Sequence, residues 1–418
     1  MSDAIAAHDA DAAIGLVLAG GAARGAYEVG VLEHIVEHVS RDLGYDVPLD
    51  ILSGTSVGAM NVCMLAAYAD EPRARVAHLA GVWTELDIGN ILRPAARGVF
   101  DVARGLFGRG LSGLEAGALF DPTPLAETLR RAIPFERIDT HLRAGRLRSV
   151  TVTATQISTG RAVVFVQRRR AQPSPWSTSH HVVPKPVRLR AIHTLASAAV
   201  PLLFPAVPID GRYYCDGGLR QNVPLSPARR LGARALIVVN PKYVAPRPAH
   251  DAVLEHAPHE PFPSPLSIVG KALSALLLDR IDNEIDRFEK VNEILDAGTR
   301  RFGDAFVRGL NDELGYDPRE GLQRLGIVHI RSSIDIPGMA ADYVSSPAFR
   351  QNGLLGRLMR RIAEDPAMRE ADLLSYLLFD GEFAGRLIEI GRVDARAYHG
   401  ALCKLVDDTV GRRMLLRS

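Results

Sequence analysis

The chain has 418 residues, of which 47% are hydrophobic and 23% charged, a composition typical of a globular protein. Its 50 basic and 48 acidic residues leave a net charge of only +2, so bulk charge indicates no nucleic-acid partner. Three widely spaced cysteines exclude a disulfide scaffold, and no apolar run reaches the roughly 20 residues that a bilayer span needs.

The first part of the chain alternates between predicted strands and predicted helices. Residues 14–19 form an apolar run of the kind found in buried parallel strands, and a pair of glycines ends it. Apolar residues at helical spacing predict a helix over residues 27–39. Residues 49–52 predict a second strand, and residues 57–68 predict a buried helix. This order of elements predicts a doubly wound α/β fold.

The remainder of the chain divides at a stretch rich in proline and histidine, residues 241–265, which predicts a linker. The other predicted elements are a β-hairpin from 150–154 and 162–166, a helix over 191–199, a strand over 236–240, a helix from 266 to about 297, a strand over 326–331 and helices over 339–418. We therefore expect one domain over residues 14–240 and a mainly helical region over residues 266–418. The strand near 326–331 is a candidate to complete the sheet of the first domain.

Ser56 lies in a Gly-x-Ser-x-Gly motif, Gly54-Thr55-Ser56-Val57-Gly58, between the second predicted strand and the next helix. Glycines on both sides allow a strained turn that projects the hydroxyl. The positive end of the helix dipole near Val57 favours negative charge beside the serine. The motif alone also fits an ordinary tight turn, but its place between a strand and a helix favours Ser56 as a nucleophile.

The segment Gly20-Gly21-Ala22-Ala23-Arg24-Gly25 predicts a glycine-rich loop between the first strand and the first helix. Backbone N–H groups at such a position bind either a phosphate or an oxyanion. The pattern also matches a degenerate dinucleotide fingerprint, with Asp46 or Asp50 as the acidic residue about 20 positions later. Arg24 inside the loop, and a candidate nucleophile after the next strand, favour an oxyanion hole.

A serine nucleophile needs a base, which is usually a histidine oriented by a carboxylate. The α/β-hydrolase arrangement does not fit, because Ser56 follows only two predicted strands and no upstream oxyanion segment of that type is present. No histidine is marked by its surroundings, although a late one such as His329 could serve. Asp216, in Cys215-Asp216-Gly217-Gly218, is the other candidate, and an ordinary Asp-Gly turn is the alternative there.

The glycine-rich loop, the serine motif and the Asp216 segment, in this order and spacing, resemble the patatin-like phospholipase family. Residues 153–165, 196–205 and 222–224 also resemble connecting segments of that family, so the likeness covers about residues 14–240. It implies an α/β fold of three layers, in which helices flank a mostly parallel sheet, with a helical C-terminal extension.

The resemblance also implies a Ser-Asp dyad without a histidine, in which Ser56 is the nucleophile and Asp216 its base. The implied reaction is hydrolysis of lipid carboxylic esters, of the phospholipase A or lysophospholipase type, through an acyl-serine and without a metal or cofactor. The supporting residues would be Gly20, Gly21, Ala22, Arg24 and Gly25 in the oxyanion hole, Gly54, Thr55, Val57 and Gly58 in the nucleophile turn, and Gly217 and Gly218 behind the base.

Ala22 departs from the family pattern, which usually has glycine at this position. A methyl group is tolerated there at negative φ, but at positive φ it strains the loop by roughly 1 kcal/mol or more. This departure favours an alternative, a catalytically weak lipid-binding or regulatory protein on the same fold. A dinucleotide-binding oxidoreductase is a lesser alternative, because only the degenerate fingerprint favours it.

A lipid or lysolipid substrate would require access to a membrane surface. Residues 92–112 combine Phe100, Leu106 and Phe107 with four arginines, which is compatible with a basic segment at anionic headgroups. An ordinary surface loop is the alternative. Residues 266–288 are a second amphipathic candidate, for which packing in the core or between subunits is the alternative. We expect a cytoplasmic protein with a peripheral contact at the membrane surface.

Overall fold

A mixed sheet of nine strands forms the centre of the computed structural model, which describes residues 13–95, 118–169, 182–243, 281–316, 321–364 and 373–415. Two short strands, Arg93–Pro94 and Phe120–Asp121, form a separate pair. The strands in chain order are β1 (Ala13–Leu18), β2 (Ile51–Thr55), β3 (Arg93–Pro94), β4 (Phe120–Asp121), β5 (Ser149–Gln156), β6 (Arg161–Arg168), β7 (Val182–Pro186), β8 (Val207–Ile209), β9 (Arg212–Asp216), β10 (Ala233–Asn240) and β11 (Gly326–Arg331).

The sheet is parallel over most of its width, in the order β11-β10-β1-β2-β5-β6-β7. The first five of these strands are parallel to their neighbours, whereas β6 runs antiparallel to β5. β9 pairs antiparallel with β5, and β8 pairs antiparallel with β9. β1 and β2 are buried along their whole length, as parallel strands covered on both faces should be.

Helices cover both faces of this sheet. A 3₁₀ turn, Ala22–Arg24, leads into the first helix, and a π-helical segment, Ile35–Val39, joins the first helix to the second. The helices are α1 (Gly25–His34), α2 (Ser40–Leu43), α3 (Val57–Ala67), α4 (Ala74–Thr84), α5 (Ile88–Ile91), α6 (Thr123–Ala132), α7 (Phe135–Arg143), α8 (Ala191–Ser197), α9 (Gly218–Gln221), α10 (Leu225–Arg230), α11 (Ile281–Phe302), α12 (Ala305–Glu313), α13 (Ile336–Ser345), α14 (Gly353–Glu364), α15 (Leu373–Leu377), α16 (Gly381–Ala397) and α17 (His399–Leu415).

Successive side chains of the strands enter two different cores, because strand residues alternate between the faces of a sheet. Leu16 and Leu52 belong to the larger core, which also contains the apolar side chains of α1 and α3. Val17 belongs to the smaller core, together with Leu225 of α10 and Ile285 of α11. This layering confirms the predicted α/β fold, a mostly parallel sheet flanked by helices and followed by a helical C-terminal region.

The C-terminal helices pack directly against α1. A Cβ atom at Gly391 of α16 would lie only 2.1 Å from the carbonyl oxygen of Tyr27, and one at Gly30 would lie 1.8 Å from that of Ile388. The Tyr27 hydroxyl also donates a hydrogen bond to Asp394 at 2.9 Å. Because α1 and α16 approach so closely, the C-terminal region contributes to the larger core instead of forming a separate appendage.

Several predicted elements lie where the sequence indicated. The helix predicted over residues 57–68 is α3, the predicted hairpin is β5 and β6, and the strand predicted over 326–331 is β11, which lies at the edge of the sheet beside β10. Helices α6 and α7 were not predicted, although their apolar and charged residues recur at helical spacing.

Some predicted segments lie outside the described residues. These are nearly all of the linker over 241–265, most of the basic segment over 92–112, and the first part of the helix expected from residue 266. The described part of that helix is α11, which begins at Ile281. No helix in the described ranges is both long enough and apolar enough to cross a bilayer.

Candidate active site

The register of the sheet brings Ser56 and Asp216 together. β2 pairs with β5 as far as Thr55 opposite Thr153, and the next residue of β5, Ala154, pairs with Asp216 of β9. Because β6 occupies the other edge of β5, β2 and β9 must lie end to end along the same edge. Ser56 directly follows the last residue of β2, so the two candidate side chains meet at this junction.

Ser56 lies on a strained turn between β2 and α3. Its φ of 54° and ψ of −122° are unusual for a residue with a side chain, and strain of this kind is common at functional sites. A Cβ atom at Gly54 would lie 2.3 Å from the carbonyl oxygen of Gly58, and one at Gly58 would lie 2.4 Å from that of Leu18. The two glycines of the motif are therefore required for close backbone approach.

Asp216 is almost completely buried, with 1% of its surface exposed. Its Oδ1 accepts a hydrogen bond from the Gly218 N–H at 2.7 Å, whereas the buried Oδ2 has no hydrogen-bond partner among the described residues. Burial raises the pKa of Asp216 to about 6, although the Ser56 hydroxyl and the Gly218 N–H oppose this rise. The carboxylate is thus a stronger base than an exposed aspartate.

A buried hydroxyl that the sequence analysis did not assign, that of Ser197 at the end of α8, connects the parts of the site. Ser197 Oγ accepts a hydrogen bond from the Ser56 N–H at 2.8 Å and donates one to the carbonyl oxygen of Thr153 at 2.5 Å. The carbonyl oxygen of Ser197 accepts a hydrogen bond from the Gly217 N–H at 3.2 Å. A Cβ atom at Gly217 would lie 2.2 Å from the Thr153 oxygen, so glycine is required directly after Asp216.

The glycine-rich loop lies against the Ser56 turn. A Cβ atom at Gly20 would lie 3.3 Å from the Cβ of Ser56 and 2.2 Å from the side-chain oxygen of Asn222. Asn222 holds the loop on both sides of Gly20, because its carbonyl oxygen accepts the Gly20 N–H at 3.1 Å and its side-chain amide donates to the Gly20 oxygen at 3.2 Å. Asn222 is a second residue whose function the sequence analysis did not assign.

Only some of the backbone N–H groups in the loop are available to a ligand. The Arg24 N–H donates to the Gly21 oxygen at 3.1 Å, and the Gly25 N–H donates to the Ala22 oxygen. Within the described ranges, the N–H groups of Gly21 and Ala22 have no hydrogen-bond acceptor. Ala22 has a φ of 49°, the left-handed conformation in which a methyl group costs roughly 1 kcal/mol or more.

The Arg24 side chain packs among the C-terminal helices and is 2% exposed. Its Nε donates to the Ser375 hydroxyl at 2.9 Å, and its guanidinium carbon lies 4.4 Å from the ring centroid of Tyr376. Burial lowers the pKa of Arg24, and the charges of Tyr376 and Asp335 oppose that effect. The arginine of the predicted oxyanion loop therefore connects the loop to α15.

A buried polar network lies behind the loop, and the sequence analysis missed it. The side-chain amide of Asn61 donates to Glu28 Oε2 at 2.7 Å and to the carbonyl oxygen of Gly25 at 3.2 Å, while the Trp83 indole donates to Asn61 Oδ1 at 3.1 Å. Burial raises the pKa of Glu28 well above its usual range, with hydrogen bonds from Asn61 and the backbone of Ala19 acting in the opposite direction. Burial thus favours the neutral acid at Glu28.

An apolar cavity begins at Val57, the residue next to Ser56, and lies between α3, α4 and α6. Trp83 and Phe379 line it and stack on each other, with ring centroids 6.4 Å apart. Its other lining residues are Met60, Asn61, Met64, Leu79, Val82, Leu86, Ile91, Leu125, Thr128, Leu129, Ala132 and Ile133. Its volume is about 60 Å³, so its apolar lining suits only a short hydrocarbon segment.

Neither a histidine nor a cluster of metal ligands accompanies Ser56 and Asp216 in the described residues. In the part of the chain that the structure describes, no histidine ring forms a hydrogen bond with Ser56 or Asp216. His193 of α8 instead accepts a hydrogen bond from the Arg190 N–H at 3.0 Å, and burial lowers its pKa to about 4. The same described ranges contain no group of three or more His, Cys, Asp or Glu residues that could hold a metal ion.

Comparison with known proteins identifies the family of this chain. The solved structure of VipD from Legionella pneumophila aligns with a TM-score of 0.35 and 14% sequence identity, over 90% of this chain and 67% of that one. Patatin-like phospholipase domain-containing protein 7 of Rattus norvegicus is 25% identical over 228 residues, and patatin-like phospholipase domain-containing protein ZK370.4 of Caenorhabditis elegans is 29% identical over 226 residues. Each of these two matches covers 54% of this chain but only 13% of the relative.

The family model described as patatin-like phospholipase matches residues 16–229, which is just over half of the 418 residues. The matched range contains the glycine-rich loop, the Ser56 turn and Asp216. The chain therefore belongs to the patatin-like phospholipase family.

Proposed function

We propose that this chain is a serine acyl hydrolase that cleaves carboxylic esters of lipids, of the phospholipase A or lysophospholipase type. The proposal is supported chiefly by the junction of β2 and β9 along one edge of β5, where Ser56 and Asp216 are neighbours. Membership of a family of lipid hydrolases supports the substrate class.

Asp216 is suited to act as the general base for Ser56. An aspartate with an ordinary pKa near 3.9 is a poor base for a hydroxyl, whereas burial raises the pKa of Asp216 to about 6. Its Oδ2 has no hydrogen-bond partner among the described residues, so it is available to accept the serine proton. Hydrogen bonds of this kind often shorten only when substrate binds.

In the proposed reaction, Ser56 Oγ attacks the ester carbonyl carbon while its proton passes to Asp216. The N–H groups of Gly21 and Ala22 stabilise the negative charge that develops on the carbonyl oxygen. Asp216 then gives its proton to the leaving alkoxide, and an acyl-serine remains. A water molecule next gives a proton to Asp216 and attacks the acyl carbon, and that proton returns to Ser56 as the carboxylic acid leaves.

The cavity beside Val57 is the proposed site of the acyl chain. Each methylene group buried there contributes about 0.8 kcal/mol to binding. We therefore expect kcat/KM for p-nitrophenyl esters to rise with acyl length until the chain fills the space between α3, α4 and α6. A rate that does not depend on acyl length would place the chain elsewhere.

Two substitutions test the dyad. Ser56→Ala and Asp216→Asn should each lower turnover of p-nitrophenyl butyrate by about 10³-fold or more, since each removes a member of a unit that acts together. Ser158→Ala and Asp210→Asn are matched controls, because both residues are exposed and lie on turns outside the site. Turnover retained in either dyad variant would refute the proposal. Lipidomics of cells expressing wild type or Ser56→Ala would identify the lipid.

One observation favours a second candidate, a lipid-binding protein with weak catalysis. Ala22 adopts φ 49° in the loop that would bind the oxyanion, a conformation that glycine adopts without strain. Covalent labelling of Ser56 by a fluorophosphonate distinguishes the two functions, because the reagent reacts only with an activated serine. Labelling of wild type, absent in Ser56→Ala, would favour the hydrolase.

A further inference from the structure

Two β-hairpin turns lie beyond Asp216 at the carboxyl end of β5. Residues 157–160 join β5 to β6, and residues 210–211 join β8 to β9. The Ile157 N–H donates to the Tyr213 oxygen at 3.0 Å, which extends the β5–β9 ladder by one residue pair. Residues opposite each other in an antiparallel ladder have neighbouring side chains on one face. We define the hairpin-tip platform as five residues around these turns: Ile157 and Tyr213 on one face of the ladder, Arg161 and Arg212 at its tip on the other face, and Arg220 over the first turn.

The apolar part of the platform is exposed to solvent. Ile157 is 50% exposed and Tyr213 is 59% exposed, whereas the next residue along β9, Tyr214, is only 1% exposed. A tyrosine beside an aliphatic side chain is suited to a membrane interface, where the ring enters the apolar layer and the hydroxyl remains in water. Neither Ile157 nor Tyr213 belongs to a hydrophobic core of the described residues.

The charged part of the platform is strongly basic. The platform contains three exposed arginines, Arg161, Arg212 and Arg220. None of them forms an ion pair with another described residue. Arg220 lies over the first turn, since a Cβ atom at Gly160 would be 2.9 Å from its Nη2. The only acidic residue on the two turns, Asp210, pairs with Lys185 at 2.8 Å. Four cations against one carboxylate leave a local charge of +3.

We propose that the hairpin-tip platform docks on the surface of a bilayer that carries anionic headgroups. The arginines would bind phosphate or carboxylate groups of the lipids, and Ile157 and Tyr213 would enter the interface. β9 leads directly from the platform to Asp216, so docking would hold the candidate site at the membrane. This inference rests on the proposed function, because a lipid hydrolase must reach lipid. The exposure and charge of the platform do not depend on that function.

Vesicle binding tests the platform separately from catalysis. The full chain is sedimented with vesicles of phosphatidylcholine alone or with 30% phosphatidylserine, at 0.05 M and 0.5 M NaCl. We expect binding only to the anionic vesicles, and weaker binding at high salt because exposed charges are screened. The combined substitution Arg161→Gln, Arg212→Gln, Arg220→Gln should weaken binding about tenfold or more, and Ile157→Ser with Tyr213→Ser should weaken the remaining binding at high salt.

A control variant carries three changes of the same kind on α11, Arg300→Gln, Arg301→Gln and Ile294→Ser, where Ile294 is 56% exposed. It should bind vesicles as the wild type does. All variants should hydrolyse the soluble ester p-nitrophenyl butyrate at the wild-type rate. Equal binding by wild type and platform variants, or no preference of the wild type for anionic vesicles, would overturn the inference. Normal vesicle binding without ester turnover would instead contradict the proposed function and leave the platform supported.

Discussion

The ionisation of Asp216 gives the candidate site a characteristic pH dependence. In the proposed reaction only the deprotonated carboxylate can accept the Ser56 proton, and burial raises the pKa of Asp216 to about 6. We therefore expect kcat/KM for p-nitrophenyl butyrate to be constant above pH 7 and to fall about tenfold per pH unit below pH 6. A pH–rate profile between pH 4.5 and 8 measures this. An acid limb near pH 4, with the protein still folded by circular dichroism, would contradict the assignment.

The same carboxylate should make stability depend on pH. The folded pKa lies above the unfolded value, so Asp216 ionises more readily in the unfolded chain, and stability is lost as pH rises from about 4 through 6. A shift of about two units corresponds to roughly 3 kcal/mol. Asp216→Asn cannot ionise, so its stability relative to wild type should increase between pH 4.5 and pH 8. Urea unfolding of both proteins at pH 4.5 and pH 8 measures the difference in their stability. The same difference at both pH values would show that Asp216 does not carry a buried charge.

Ala22 allows a test of backbone strain at the oxyanion loop. At its φ of 49°, glycine is free of strain, whereas a β-branched residue clashes with its own backbone. Ala22→Gly should therefore unfold no earlier than wild type and should label at least as fast with a fluorophosphonate. Ala22→Val should lose about 2 kcal/mol of stability. Equal thermal stability of the glycine and valine variants would show that the loop adopts another conformation.

The crossing of α1 and α16 should tolerate no side chain at its centre. A Cβ atom at Gly391 would meet the Tyr27 oxygen at 2.1 Å, while one at Gly385 on the same helix would have no atom within 4 Å. We expect Gly391→Ala to lower the free energy of unfolding by about 3 kcal/mol. Gly385→Ala is the matched control and should raise it by up to about 1 kcal/mol through helix propensity. Urea denaturation compares them, and equal effects would exclude a close crossing.

Local patterns were sufficient to predict the main elements of the α/β unit. Three strands are apolar runs bounded by turn residues: the strand before Gly20, the strand before the Ser56 turn, and the late strand β11. Each was predicted within a few residues. The pattern could not show that β9 continues the edge of β5 beyond β2, because that register depends on contacts between distant segments. The functions of Ser197 and Asn222 were missed for the same reason, since their partners lie far away in the sequence.

At the scale of the whole molecule, the C-terminal helices hold the candidate oxyanion loop in place. Arg24 stacks on Tyr376 at 4.4 Å and is 2% exposed, while Arg386 stacks on Tyr343 at 4.8 Å with its side chain 45% exposed. The two arginines therefore make similar ring contacts in different surroundings. No local signal in the sequence relates Arg24 to residues of the C-terminal region, so this connection could not be predicted.

These two arginines form a matched pair for mutation. Arg24→Ala should lower the free energy of unfolding by about 3 kcal/mol, because it leaves a buried void and removes the donor to Ser375. It should also lower ester turnover by loosening the loop. Arg386→Ala should cost less than about 1 kcal/mol, since an exposed cation–π contact is weak. Chemical denaturation and ester turnover of both variants measure this, and equal losses would show that the C-terminal region does not support the loop.

The hydrogen bond from Arg24 to Ser375 spans 351 positions and sets an order of events during synthesis. At about 5–20 residues per second, a ribosome needs roughly 20–70 s to translate that interval. For part of this time β1 also lacks its neighbour β10, which begins at Ala233, and α1 lacks α16 throughout. Under the proposed function, the Ser56 turn is therefore synthesised long before the adjoining loop is secured, and attack on lipid esters would begin only after the C-terminal helices have been translated.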